Sequence, residues 1–359
     1  MASSDADVVG RVLEASGLIL DRARLIGSRR SVVVAVSGGA DSLCALDVMM
    51  TLLERAKRRV IVGHVDHCLR EESRADAEHV VAVAGRYGVR CEILRVDVPA
   101  LAAAERRGIE EAARLGRYRA LRELSSRVGR GPTVTGHTRD DSVETVLMHL
   151  LRGTGRRGLS GLSADDELTA TTLGQSEGTP WQMPLRVVRP LLDVGHEDTL
   201  AYCQARSIPW RLDPSNTDTA MLRNRVRHHL LPVLRTYNAD VGAALSRLAA
   251  TVQGEEELLE TLTTRQLARL VVAGQGRASI DLAAFQRRHV ALRRRVVRRC
   301  VAALGHTELG FEAVERALAV GEYDGPPRVQ LGGGIVVERK GDRLVFSRES
   351  AGRPAEGES

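Results

Sequence analysis

The feature that most constrains this chain is a continuous β-branched run, Ser31-Val32-Val33-Val34-Ala35-Val36. It stops at a glycine pair and gives way to apolar residues at helical spacing, Leu43, Leu46, Met50 and Leu53. A strand with no polar alternation has to be covered on both faces, and a helix that follows it directly carries the chain over to a parallel neighbour. Strand, tight loop and helix are therefore predicted in that order.

The same alternation repeats. Val60-Ile61-Val62-Gly63-His64-Val65 reads as a strand and precedes a helix with Ala75, Ala77, Val80, Val81 and Ala84. A third apolar run spans Arg90 to Val98, a helix fits Ile109 to Leu124, and Thr133-Val134-Thr135 precedes a helix with Val143, Val146, Leu147 and Leu150. The expected fold class is α/β: a doubly wound, Rossmann-like parallel sheet with helices on both faces. Residues 163–182 are polar and aperiodic and read as a long surface loop or a short excursion between elements.

At 359 residues the chain is long for one domain and comfortable for two. Beyond Asp213-Pro214-Ser215-Asn216, charged helical patterns dominate from Leu222 to Val320. The expected division is a catalytic domain over 1–216, a mostly helical second domain over 217–350 ending in short strands, and a disordered tail over 351–359. The closing strands are Val329-Gln330-Leu331, Gly334 to Glu338 and Arg343 to Phe346, the last two joined by a turn at Lys340-Gly341-Asp342.

Composition narrows the function. No apolar run is long enough to span a bilayer and no secretory signal is visible, so a cytoplasmic protein with no membrane partner is expected. The five cysteines are scattered singly, which disfavours zinc, iron–sulfur and thiol-carrier chemistry. The net charge of +6 rests almost wholly on arginine, Lys57 and Lys340 being the only lysines. That favours a polyanionic partner, although GC-rich coding would produce the same excess without a functional reason.

Ser37-Gly38-Gly39-Ala40-Asp41-Ser42 lies where the carboxyl end of the first strand turns into a helix, the place at which ligands enter an open parallel sheet. Glycines permit close backbone approach, and free amides, the Ser37 and Ser42 hydroxyls and the helix dipole can all meet one anion. The spacing is shorter than that of the common nucleotide loop and the lysine is missing. Asp41 stands in the loop instead and suggests a metal bridge to phosphate. The plain alternative is a glycine turn that caps a helix.

This hexapeptide after a hydrophobic strand resembles the loop of the PP-loop ATP pyrophosphatase superfamily. Six further segments are similar to those of tRNA(Ile)-lysidine synthases: His64-Val65-Asp66-His67-Cys68-Leu69-Arg70; Gly108 to Arg114 with Arg117-Tyr118; Thr135-Gly136-His137-Thr138-Arg139-Asp140-Asp141 with Glu144-Thr145; Leu151 to Gly161; Arg189-Pro190-Leu191-Leu192; and Asp213 to Asn216 leading to Arg223-Asn224-Arg225-Val226-Arg227. The likeness runs from about Ser31 to Leu234; beyond it only placement and character agree. It implies a ligase that adenylates the wobble cytidine of a CAU anticodon in an isoleucine tRNA, using ATP and Mg2+. Free L-lysine then displaces AMP. A homodimer is compatible with the sequence.

The resemblance implies a catalytic set of Asp41, Arg114, His137, Asp141 and Arg225. ATP would lie on Ser37, Gly38, Gly39, Ala40, Asp41, Ser42 and His64, with Asp41 as metal ligand. Asp141 and Glu144, three apart on one helical face, would orient the lysine amine; helix capping by Asp140 or Asp141 is the competing reading. Transfer RNA would meet Arg117, Arg223 and Arg227, and Arg293 and Arg294 in a second arginine cluster, which could equally be a solvated helix face. Arg114 and Arg117 could instead pair with Glu110 or Glu111, and His137 could be a structural hydrogen-bonder. Rival readings are a tRNA sulfur-transfer enzyme, a glutamine-fed amidotransferase, for which no N-terminal cysteine is present, and a noncatalytic ATP-dependent switch.

Overall fold

The structure, a computed structural model, describes residues 5–53, 59–68, 73–169, 184–212, 221–274, 276–306 and 309–349. Leu69-Arg70, Asp213 to Asn216 and the tail over 351–359 lie outside the described residues. The chain divides into two compact units, Met1–Gln253 and Gly254–Ser359.

The first unit is built on a six-stranded sheet in the order β3-β2-β1-β4-β6-β5. Strands β1 (Val32–Ala35), β2 (Val60–Asp66), β3 (Arg90–Arg95), β4 (Thr133–Thr135) and β6 (Leu185–Val188) run parallel. After β3 the chain returns to the other side of β1, so the strand order reverses between β1 and β4 and a crevice opens at their carboxyl ends.

Both faces are covered. On one, helices α1 (Asp5–Arg22), α2 (Ala40–Leu52), α3 (Ser73–Arg86) and α8 (His196–Ala205) bury Leu20, Leu43, Leu46, Met49, Val80 and Tyr202 against Val34 and Val62. On the other, α5 (Ile109–Arg127) packs Leu115, Tyr118, Leu121 and Leu124 against Val33 and Val187. Helix α4 (Val98–Glu105) starts at Asp97, whose carboxylate accepts the Ala100 amide, and packs on α5.

Two sequence expectations are corrected here. The polar stretch over 163–182, of which 170–182 lie outside the described residues, contains β5 (Asp165–Leu168), antiparallel to β6, so the sheet is not wholly parallel. The compact first unit also extends past residue 216. Val226 and Leu231, from the π-helical turn Val226–Leu230 and from α10 (Leu231–Tyr237), pack on Val143, Leu147 and Met148 of α6 (Arg139–Leu151). Composition changes at 216, but burial ties the next helices to the sheet domain.

The second unit carries an antiparallel sheet in the order β7-β8-β11-β10-β9: β7 (Val271–Gly274), β8 (Arg277–Asp281), β9 (Arg328–Gly332), β10 (Ile335–Lys340) and β11 (Arg343–Arg348). The expected hairpin is present, Lys340 pairing Arg343 across Gly341 at φ +60°. Helices α13 (Val290–Ala303) and α14 (Phe311–Ala319) bury Val297, Cys300, Val301, Val314 and Ala317 against Ile335, Val337, Leu344 and Phe346. Strands β7 and β8 replace part of the helical run expected between Leu222 and Val320.

Candidate active site

The loop Ser37–Ser42 hangs at the carboxyl end of β1. Gly39 starts α2 with no side chain capping it, and Gly38 adopts φ +98°, open to glycine at little cost. Ser42 does not point outward as the sequence suggested. Its Oγ accepts the amides of Ser37 and Gly38 at 3.1 and 3.2 Å and donates to the Gly39 carbonyl at 2.9 Å, so it shapes the loop from inside. His64 is buried beneath the loop and its Nδ1 donates to the Val36 carbonyl at 2.9 Å. The loop also touches β4: a Cβ on Gly136 would stand 2.5 Å from the Asp41 carbonyl oxygen.

Across the crevice, the turn after β4 starts α6. The Asp141 carboxylate accepts the Thr138 amide at 2.8 Å and hydroxyl at 3.1 Å, a reciprocal cap on α6. Asp140 instead accepts the amide of His196 at 2.7 Å, at the start of α8. Capping does not exhaust these carboxylates, because each has oxygen lone pairs left over for a further partner. Asp41 lies on the same side: Thr199 Oγ1 donates to its Oδ1, and His196 Nδ1 stands 2.9 and 3.1 Å from its two oxygens.

Arginines gather around this turn. Arg227 grips the buried Glu144 through two nitrogens at 2.5 and 3.1 Å, Arg223 approaches the same carboxylate at 3.5 Å, and Arg227 lies 3.6 Å from Asp141. Arg114 lies over the Tyr118 ring at 5.0 Å. Burial and the cations Arg189, Arg117 and Arg114 outweigh Asp141 and push His137 down to about 3, so it is neutral at physiological pH; its Nδ1 lies 2.8 Å from Thr135 Oγ1. Burial raises Glu144 despite Arg227. Burial would raise Asp141 too, but His137 where it is protonated, the Thr138 amide, Arg223 and Arg227 hold it below the usual carboxylate range. Burial likewise lowers Arg117, with Arg114 and Arg223 adding to it. Arg114, Arg117, Arg189, Arg223 and Arg227 gather around Asp141 and Glu144 in a half-buried crevice, a cationic wall that suits an anion.

Residues 18–234 match the model of a PP-loop domain, and residues 280–345 match that of a TilS substrate binding domain. A tRNA(Ile)-lysidine synthase of Gloeobacter violaceus is 34% identical over 351 residues, covering 96% of this chain and 97% of that protein. The chain belongs to the tRNA(Ile)-lysidine synthase family. Synthases of Dehalococcoides mccartyi and Geobacter sulfurreducens are 36% and 34% identical, over 76% and 90% of this chain. The chain spans 56% and 66% of their respective lengths. Among solved structures, the U34-tRNA thiolase NcsA of Methanococcus maripaludis superposes with a TM-score of 0.54 at 16% identity, covering 70% of this chain and 80% of that one; it shares the fold.

In this lysidine synthase family member the crevice unites Asp41, Arg114, Arg117, His137, Asp141, Glu144, Arg223 and Arg227. It does not include Arg225, which is exposed on another side of its helix. There Arg225 lines a separate cavity of about 380 Å3 with Leu151, Leu222, Val226, His229 and Val233. Nor is α13 a bare cationic track: in the second unit Arg293 pairs with Glu322 at 3.0 Å, Arg294 with Glu315 at 2.7 Å and Arg295 with Glu256 at 2.5 Å. Sequence reasoning missed His196 and Thr199. They follow the Arg189-Pro190-Leu191-Leu192 segment, but nothing in their spacing says that α8 starts against the phosphate loop.

Proposed function

We propose that this chain ligates free L-lysine to the 2-position of the wobble cytidine in the CAU anticodon of an isoleucine tRNA, forming lysidine. The observation that carries this reading is the meeting, at one sheet crevice, of the phosphate loop bearing Asp41 with the turn bearing His137, Asp141 and Glu144, in a chain of this family.

The cytosine 2-carbonyl oxygen attacks the α-phosphorus of ATP and the bond to pyrophosphate breaks. An amine of lysine then adds at C2, its proton leaves, and the C–O bond to AMP breaks. Two easier displacements replace expulsion of a poor leaving group. The amides of the first turn of α2, from Ala40 onward, and Arg114 face the charge that develops on phosphate. Neutral His137 is a hydrogen-bonding partner for the adenylated oxygen and carries no charge to repel an ammonium. Asp141 and Glu144 receive the lysine amine and relieve it of its proton, since only the neutral amine attacks. Arg117, Arg223 and Arg227 face the anionic substrates, and Arg293 and Arg294 contact tRNA.

A magnesium ion, which takes one or two carboxylates beside substrate phosphates, fits Asp41 as the loop's single carboxylate. When bound it would neutralise charge on the leaving pyrophosphate. ATP, lysine and tRNA place the reaction in the cytoplasm.

The Asp41→Asn variant tests the loop. It should lose AMP release while tRNA binding, measured by filter retention, stays close to wild type. Undiminished AMP release would remove Asp41 from the chemistry.

A further inference from the structure

Asp41 sits on the first turn of α2, where an acidic side chain ordinarily faces solvent or its own helix amides. Here its carboxylate is taken up by a different helix. Oδ1 receives the Thr199 hydroxyl and lies 2.9 Å from His196 Nδ1; among the described residues Oδ2 has only the 3.1 Å approach of the same nitrogen. Thr199 is wholly buried, and its hydroxyl also lies 2.7 Å from the His196 carbonyl.

The start of α8 is itself tied to the opposite wall. The His196 amide donates to Asp140 and the Arg139 amide donates to the Val194 carbonyl at 2.9 Å. One helical turn thus bonds both to the phosphate loop and to the turn that carries His137 and Asp141.

We propose that Thr199 and His196 are positioning residues that fix the Asp41 carboxylate, holding Oδ1 and leaving Oδ2 presented to the phosphate side of the crevice. This rests on the reading of Asp41 as the loop's metal and phosphate group. Partners that orient a ligating carboxylate commonly contribute about 10- to 100-fold to metal affinity or activity. Thr199 is the sharper handle, because Val matches its shape and lacks only the hydroxyl.

The test uses the full chain with Thr199→Val, Thr199→Ser, His196→Ala and His196→Gln. Three quantities are read: kcat and KM for AMP release, the affinity for a nonhydrolysable ATP analogue with and without magnesium, and Tm. Thr199→Val should lower kcat and the magnesium-dependent part of analogue affinity by about tenfold or more. Metal-free affinity, the KM for tRNA and Tm should stay near wild type, and Thr199→Ser should restore the losses. His196→Ala should show the smaller loss of the same kind, and His196→Gln, which keeps a donor, should recover part of it.

Wild-type kcat and magnesium-dependent affinity in Thr199→Val would overturn the proposal. So would equal losses in Thr199→Val and Thr199→Ser that follow Tm, since those would mark a packing role. Should the wild type bind magnesium and analogue yet transfer no lysine, the functional reading fails while the affinity comparison still decides the role of the clamp.

Discussion

Glu144 keeps only 1% of its side chain exposed and still carries a carboxylate. Its ionisation costs desolvation, which raises it and which Arg227 offsets only in part through a two-point grip. Truncating Arg227 to Ala strands that charge. The expected loss is about 2 kcal/mol, below the range for a fully buried pair because Arg227 keeps a third of its side chain in water. It should appear as a lower urea midpoint with an unchanged slope. His137 makes an opposite kind of contribution. Folded, it stays unprotonated down to about 3; unfolded, it takes a proton near the ordinary histidine value of 6.5. Between these limits the unfolded state binds more protons, so stability is full above 6.5 and is lost as pH falls toward 3. His137→Gln should flatten the decline of Tm across that window; an unchanged decline would mean that other groups dominate it.

At the scale of elements, the approach of β4 to the phosphate loop leaves no room for a side chain at Gly136, whose Cβ would stand 2.5 Å from the backbone oxygen of Asp41. Backbone cannot swing aside as a side chain tip can, so Gly136→Ala should push loop and turn apart. A large fall in kcat with a modest fall in Tm is expected, and retained activity would show that the crevice tolerates widening. The β-branched runs of β1 and β2 and the helices between the strands were legible because burial on both faces writes itself as uninterrupted apolar residues. Strand β5 was not. Asp165-Asp166-Glu167-Leu168 is an acidic edge strand with only Leu168 buried, and charge on an edge blocks further pairing at the expense of any periodic signal. Strand β8 buries only Ala278 and Ile280, too little alternation to stand out among charged helices. Glycine-rich and carboxylate-bearing segments of the crevice could be read directly. Their union with His196 and Thr199 depends on where α8 docks, a long-range packing result that no local spacing encodes.

For the whole molecule, the compact division at Gln253 and Gly254 falls within α11 (Val241–Leu270), well beyond the compositional change at 216. Polarity marks where helices become charged, whereas Val226 and Leu231 decide which core they join. The arginines of α13 carry the same lesson. A count of charges suggested an RNA track, and the fold pairs Arg293, Arg294 and Arg295 with glutamates. If Arg294 serves tRNA it must leave Glu315, so Glu315→Gln should tighten tRNA binding and steepen its dependence on salt by up to about one unit of log–log slope. Unaltered binding would assign Arg294 to the architecture of the second unit. The central claim, lysine transfer driven by adenylation, is tested most directly by incubating the full chain with ATP, magnesium, labelled lysine and an unmodified CAU-anticodon isoleucine tRNA. The account predicts label in that RNA in equal amount to the AMP released, and none in an elongator methionine tRNA. AMP release without label in the RNA would contradict it.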